Sequence, residues 1–299
     1  MTDPAPAPPP PIFNFNAYSP AEIHEAIEKV GVKKATMAFL PSFMLAVVAG
    51  GSIGLGALYY TIVACDPDLS FATTRVVGGL VFSLGLAIVL IGGAELFTGN
   101  NLIVMAWASG KISTTEVLRN WLIVYCGNLV GSLGLVILVL LSHHPDFNGG
   151  RIGLSILNTA VAKISPDMVT LFFKGILCNI LVCLGVWLAY AGRSVTDKIV
   201  GLILPISAFV AAGFEHSVAN MYFIPLGILL RDAVDSTRIA GIDSLNWYGY
   251  LRNLVPVTLG NIVGGSGLVA LVYYVIYRSG SRASVSSGLA APAIAPSRE

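Results

Sequence analysis

The chain has 299 residues, of which 55% are hydrophobic and 11% charged, with a mean hydropathy of +0.79. Soluble domains carry roughly a quarter charged residues, so this composition excludes one and identifies an integral membrane protein. A net charge of +1 with scattered basic residues gives no case for a nucleic-acid partner, and four cysteines without CxxC spacing indicate neither a disulfide framework nor a metal site.

Residues 1–18 are rich in proline and alanine and lack the basic and apolar regions of a signal peptide, so a flexible tail is expected there. Ser19-Pro20-Ala21-Glu22 has the form of a capping box with proline at the first helical position, and Ile23, Ile27 and Val30 follow at helical spacing. An amphipathic helix over 19–34 is predicted, lying at the membrane surface or packed on the protein as an ordinary solvated helix. Six apolar stretches follow at about 36–64, 76–106, 117–142, 168–191, 199–230 and 254–277, each long enough to cross a bilayer of roughly 30 Å. Together residues 35–278 form one pore domain, and 279–299, rich in Ser, Ala and Pro, are expected to be disordered. Six spans place both termini on one side. Ten of the 17 Lys and Arg residues then fall with the termini, an excess that favours the cytoplasm for them.

The second and fifth stretches are too long for one simple helix and carry polar interruptions, at Glu95 to Asn101 and at Glu215 to Asn220. Broken helices are expected at both, and non-helical backbone at membrane depth survives only where protein or a watery cavity satisfies it. The breaks belong to a repeat. Asn120, Val124, Gly127, Asn128, Val130 and Gly131 recur as Asn253, Val257, Gly260, Asn261, Val263 and Gly264, all displaced by 133 residues. Spans one to three and four to six are therefore two halves, and an odd number of spans per half inverts the second. In such inverted repeats the substrate site lies near the midplane where the broken segments meet. The GxxxG motifs at Gly127 and Gly260 permit close helix contact. Asn128 and Asn261 are expected to bond to backbone carbonyls across helices.

His216 is the histidine within an apolar span, since His24 precedes the first span and His143-His144 fall in a polar loop. One histidine cannot hold a metal, and HExxH, GxSxG and GxxxxGK[ST] are all absent, so the chain does not read as an enzyme and no cofactor is implied. An imidazole in a helix break beside Glu215 reads instead as pore-lining. Such a group helps a small anion past a low-dielectric constriction by hydrogen bonding or proton exchange. Helix N-termini at the breaks also favour anions. Glu95 and Glu215 oppose them unless neutralised, and Lys163 or nearby amides are the candidate partners.

Glu95-Leu96-Phe97-Thr98-Gly99-Asn100, Phe173-Lys174-Gly175-Ile176-Leu177-Cys178-Asn179 and Gly213-Phe214-Glu215-His216-Ser217-Val218-Ala219-Asn220-Met221 resemble the signatures of the formate/nitrite transporter family. The resemblance runs from the Ser19-Pro20-Ala21-Glu22 helix through the sixth span. It implies an all-α membrane protein with an aquaporin-like protomer of six transmembrane helices, the second and fifth broken. It also implies a homopentamer in which each protomer has its own pore. By this resemblance Thr98 and His216 are the pore centre, Phe82 and Phe209 form one hydrophobic constriction, and Leu86, Leu96 and Phe97 form the other. Lys163 becomes an anion-attracting vestibule lysine, with Asn100, Asn179, Glu215 and Asn261 in the polar network around the pore.

The implied partners are small monovalent anions, protons and the lipid bilayer, in the inner cell membrane. Ser83-Leu84-Gly85-Leu86 and the segment Met221 to Gly227 are similar to formate-channel members, whereas Phe97-Thr98-Gly99 and Phe173-Lys174-Gly175 are similar to nitrite-channel members. Formate is the expected substrate, with nitrite, hydrosulfide or a short monocarboxylate as the alternative. A neutral-solute channel of aquaporin type would need paired NPA motifs, and the chain has none.

Overall fold

The computed structural model describes residues 17–232 and 239–278. Most of both expected tails, 1–16 and 279–299, therefore lies outside the described residues. Tyr18 is already anchored: its N–H donates to the Ala191 carbonyl at 2.9 Å, and Arg193 lies over its ring.

Helix α1 (Pro20–Ala35) starts at the capping box, with Ser19 Oγ accepting from the Glu22 N–H and the Glu22 carboxylate accepting from the Ser19 N–H. Its apolar face, Ile23, Ile27, Gly31 and Ala35, is buried against the protein rather than turned to the membrane surface. Among the described residues six helices are long and apolar enough to span the bilayer: α2 (Phe39–Ala64), α3 (Phe71–Gly92), α5 (Thr114–Leu141), α7 (Met168–Ala191), α8 (Val195–Ala212) and the helix running from Trp247 to Arg278, whose first part is α10 (Trp247–Ile262). The chain is an all-helical protein with six apolar membrane-spanning helices.

Between these spans lie α4 (Val104–Ala108), α6 (Arg151–Ile164) and α9 (Ser217–Leu230). Helix α6 lies outside the six expected apolar stretches, because a run of 14 residues is too short to stand out on a hydropathy scale set for spans. Its pattern is nevertheless helical: Ile152, Ile156, Leu157, Ala160, Val161 and Ile164 are buried on one face.

The second apolar stretch is helical to Gly92 and turns at Gly93, whose φ is +71°. After Glu95 to Thr98 it resumes as a short turn, Gly99–Ile103, that leads into α4. The fifth is helical to Ala212, turns at Gly213 with φ +73°, and resumes at Ser217. Both interruptions begin two residues ahead of the carboxylate. The left-handed backbone that ends each helix is one that glycine adopts without a Cβ penalty.

Packing repeats between the halves. Helix α2 packs on α3 and α5 as α7 packs on α8 and α10, and α1 lies on the segment after one break as α6 lies on α9. Lipid supplies no hydrophobic drive for these contacts, so close backbone approach and interhelical hydrogen bonds carry them. A Cβ at Gly131 would fall on the Val47 carbonyl, and one at Gly264 on the Ile176 carbonyl. Large apolar side chains such as Leu122, Leu141 and Leu204 face outward at 66%, 73% and 74% exposure, as lipid contact requires.

Candidate pore centre

The two breaks meet. Thr98, fully buried in the first, and His216, 3% exposed in the second, approach at 3.0 Å between Oγ1 and Nε2. His216 is also the N-cap of α9, where its Nδ1 accepts the Ala219 N–H at 3.0 Å. An Nδ1 lone pair engaged in this way assigns the ring proton of a neutral imidazole to Nε2. Nε2–H then donates to Thr98, and the threonine hydroxyl keeps its own proton to give elsewhere.

Phe209 stacks on the His216 ring at 5.8 Å between centroids and meets Phe82 edge-to-face at 5.7 Å. Both phenylalanines, with His216, line a cavity of about 450 Å³ on the side of Lys163. On the other side Leu86 and Leu96 line a cavity of only about 50 Å³, which residues of α1, among them Ile27, Gly31 and Lys34, also wall. Phe97, grouped with those leucines by resemblance, has its ring edge-to-face on Tyr125 at 4.9 Å and on Trp121 at 6.1 Å, so it packs against α5 behind the cavity wall.

The backbone at the breaks is satisfied by asparagines. Asn128 donates to the Ala46 and Glu95 carbonyls and accepts from the Phe97 N–H, all within 2.9 Å. Asn261 repeats this in the other half, donating to the Gly175 and Glu215 carbonyls and accepting from the Ser217 N–H within 3.0 Å. Asn179 ties the halves together by donating to the Thr98 carbonyl at 3.3 Å and the Asn261 carbonyl at 2.6 Å. A stretch of π-helix, Val263–Leu271, continues α10 and brings Ser266 Oγ to Asn101 Oδ1 at 2.7 Å.

The buried carboxylates at the two breaks are both ion-paired. Glu215 lies 3.3 Å from Lys163 Nζ and accepts from Asn220 Nδ2 at 2.7 Å, while Asn220 donates to Asn253 and Asn253 to the Lys163 carbonyl. Glu95 lies 3.0 Å from Lys34 Nζ and accepts from Asn100 Nδ2 at 2.7 Å, while Asn100 donates to Asn120 and Asn120 to the Lys34 carbonyl. Pairing with this density of hydrogen bonds is what allows charges to stay buried.

Lys34, Asn120, Asn220 and Asn253 join the site without having been singled out for it. Their signal lies in the spacing: Lys34 precedes the start of α2 by five residues, as Lys163 precedes the start of α7 by five. Arg75 and Lys174 also line the larger cavity.

The pattern of the family described as "Formate/nitrite transporter" matches residues 21–275. The chain is 42% identical over 272 residues to the formate channel FocA of Escherichia coli (strain K12), covering 88% of this chain and 95% of that protein. It is 37% identical over 258 residues to the formate channel FocB of the same strain, covering 84% of this chain and 92% of that one. A solved structure, "Pentameric formate channel with formate bound", superposes with a TM-score of 0.75 at 43% identity over 81% of this chain and 98% of that one. With six apolar spans and a pattern match across most of its length, the chain belongs to the formate/nitrite transporter family.

Proposed function

We propose that the protein is a channel for small monovalent anions, formate first among them, in which Thr98 and His216 form the central binding site. The observation that carries this reading is the buried Thr98–His216 hydrogen bond where the two breaks meet, with an aromatic gate of Phe82 and Phe209 on one side and a leucine-lined wall on the other. The formate channels among its relatives support the choice of anion.

A small carboxylate that reaches this point loses water and needs donors in exchange. His216 Nε2–H polarises the Thr98 hydroxyl, which offers its proton to the anion. His216 itself can hand over a proton only after taking one on Nδ1, and that step breaks its bond to the Ala219 N–H. The resting ring thus serves as a hydrogen-bond donor, and an acid-side route with proton-coupled passage opens when Nδ1 is protonated. Helix α1, which carries Lys34, and the end of the sixth span at Arg278 line one cleft, and the excess of basic residues on that side favours the cytoplasm for it.

Proteoliposome flux tests the reading. Vesicles containing the protein are expected to admit formate faster than chloride, and flux equal to that of empty vesicles would remove it. The same assay with nitrite and hydrosulfide ranks the alternative substrates.

A further inference from the structure

Four charged side chains line the cavity on the Lys163 side: Arg75, Lys163, Lys174 and Glu215. Three have their charge engaged. Lys163 and Glu215 pair at 3.3 Å, and the Arg75 guanidinium donates to the Ala211 and Val210 carbonyls at 2.8 Å each and to the Tyr60 hydroxyl at 3.3 Å, closing the end of α8. The half-buried Lys174 ammonium makes no hydrogen bond or ion pair with the described residues.

The internal repeat identifies the matching position in the other half. The Lys174 carbonyl accepts from the Glu215 N–H at 3.3 Å, as the Leu45 carbonyl accepts from the Glu95 N–H at 3.2 Å. The next residues agree: Asn261 donates to the Gly175 carbonyl and Asn128 to the Ala46 carbonyl, each at 2.8 Å. Lys174 therefore stands where the other half has Leu45, and the structural duty of the position belongs to the backbone. The Lys34–Glu95 and Lys163–Glu215 pairs obey the symmetry, whereas the lysine side chain at 174 breaks it.

We propose that Lys174 is the anion-capturing cation of this vestibule, drawing small carboxylates from solution toward the aromatic gate ahead of Thr98 and His216. The inference rests on the channel reading above and moves the capture role from Lys163, whose charge Glu215 offsets, to the neighbouring unpaired ammonium. A cation in a low-dielectric cleft raises the local concentration of anions, and the effect reaches across the vestibule only while salt does not screen it.

The test is initial formate flux through proteoliposomes against sodium formate concentration, at ionic strengths from about 0.01 M, where charges act over about 30 Å, to about 1 M, where they act over about 3 Å. Lys174→Leu, which copies the other repeat, is expected to raise the half-saturating formate concentration about threefold to tenfold at the lowest ionic strength. It should leave the maximal rate unchanged and converge on the unaltered protein at high salt. Lys174→Arg should restore low-salt capture, and Lys174→Glu should weaken it further. An unchanged half-saturation and salt profile in Lys174→Leu overturns the proposal, as does an equal loss of maximal rate at every salt concentration. Absence of formate flux through the unaltered protein overturns the channel reading itself, a failure distinct from either.

Discussion

At His216 one ring serves two structures, capping α9 through Nδ1 and facing Thr98 through Nε2. One substitution removes both duties, and two different readouts report on them. His216→Phe fills the same space without either nitrogen, so it is expected to flatten the pH dependence of formate flux while the oligomer still assembles. It also loses a helix cap worth about 0.5–2 kcal/mol, read as a lower melting temperature in detergent. A pH profile like that of the unaltered protein would take His216 out of the mechanism. For the neighbouring ion pair the expected asymmetry is larger. Lys163→Met strands Glu215, whose side chain is 5% exposed, without its cation, a change of about 3–5 kcal/mol in stability. Adding Glu215→Gln should recover most of it, because a glutamine oxygen can still accept from Asn220. Thermal unfolding of both single variants and the double variant measures this, and purely additive losses would show that the pair is not coupled.

The two helix breaks share a backbone device and differ in what surrounds it. Gly93 and Gly213 both take left-handed conformations, but a Cβ at Gly93 meets open space, whereas one at Gly213 comes within 2.8 Å of Arg75 Nη2. Gly93→Ala is therefore expected to cost about 1–2 kcal/mol from backbone conformation alone. Gly213→Ala should cost more and also disturb the arginine that closes α8. Equal losses in melting temperature would mean that the Arg75 contact contributes nothing. These breaks were legible in the sequence as polar runs in apolar stretches, although their starting points were not. The polar residues Glu95 and Glu215 mark where the chain needs partners, while the helix ends two residues earlier because glycine is where the backbone can turn. Helix α6 was not legible in the same way, because an amphipathic run between Gly149-Gly150 and Asp167 falls below a hydropathy scale tuned to bilayer thickness.

The cavities flanking Thr98 and His216 are both walled by one chain. Phe82, Phe209, Leu86 and Leu96 line cavities inside a single chain, and large apolar side chains cover its outside. That outer surface suits lipid and like neighbours, and the pentameric relative makes a homopentamer the expected assembly. Native mass spectrometry in mild detergent should give five times the 31.4 kDa chain mass, and a single-chain mass at all protein concentrations would exclude it.

Hydropathy alone determined the six spans, since an apolar run of bilayer length has few alternatives in lipid, and the 133-residue echo of Asn128 in Asn261 established two related halves. Those are local patterns that a chain displays before it folds. Only the tertiary structure decided that Lys34 neutralises Glu95, that Lys163 is bound to Glu215, that Phe97 turns to α5, and that Lys174 lines the vestibule with no ion pair among the described residues. Each of these depends on which groups lie within a few ångströms across dozens of residues of sequence. Coulomb and hydrogen-bond energies are set by that distance and by burial, neither of which residue order displays.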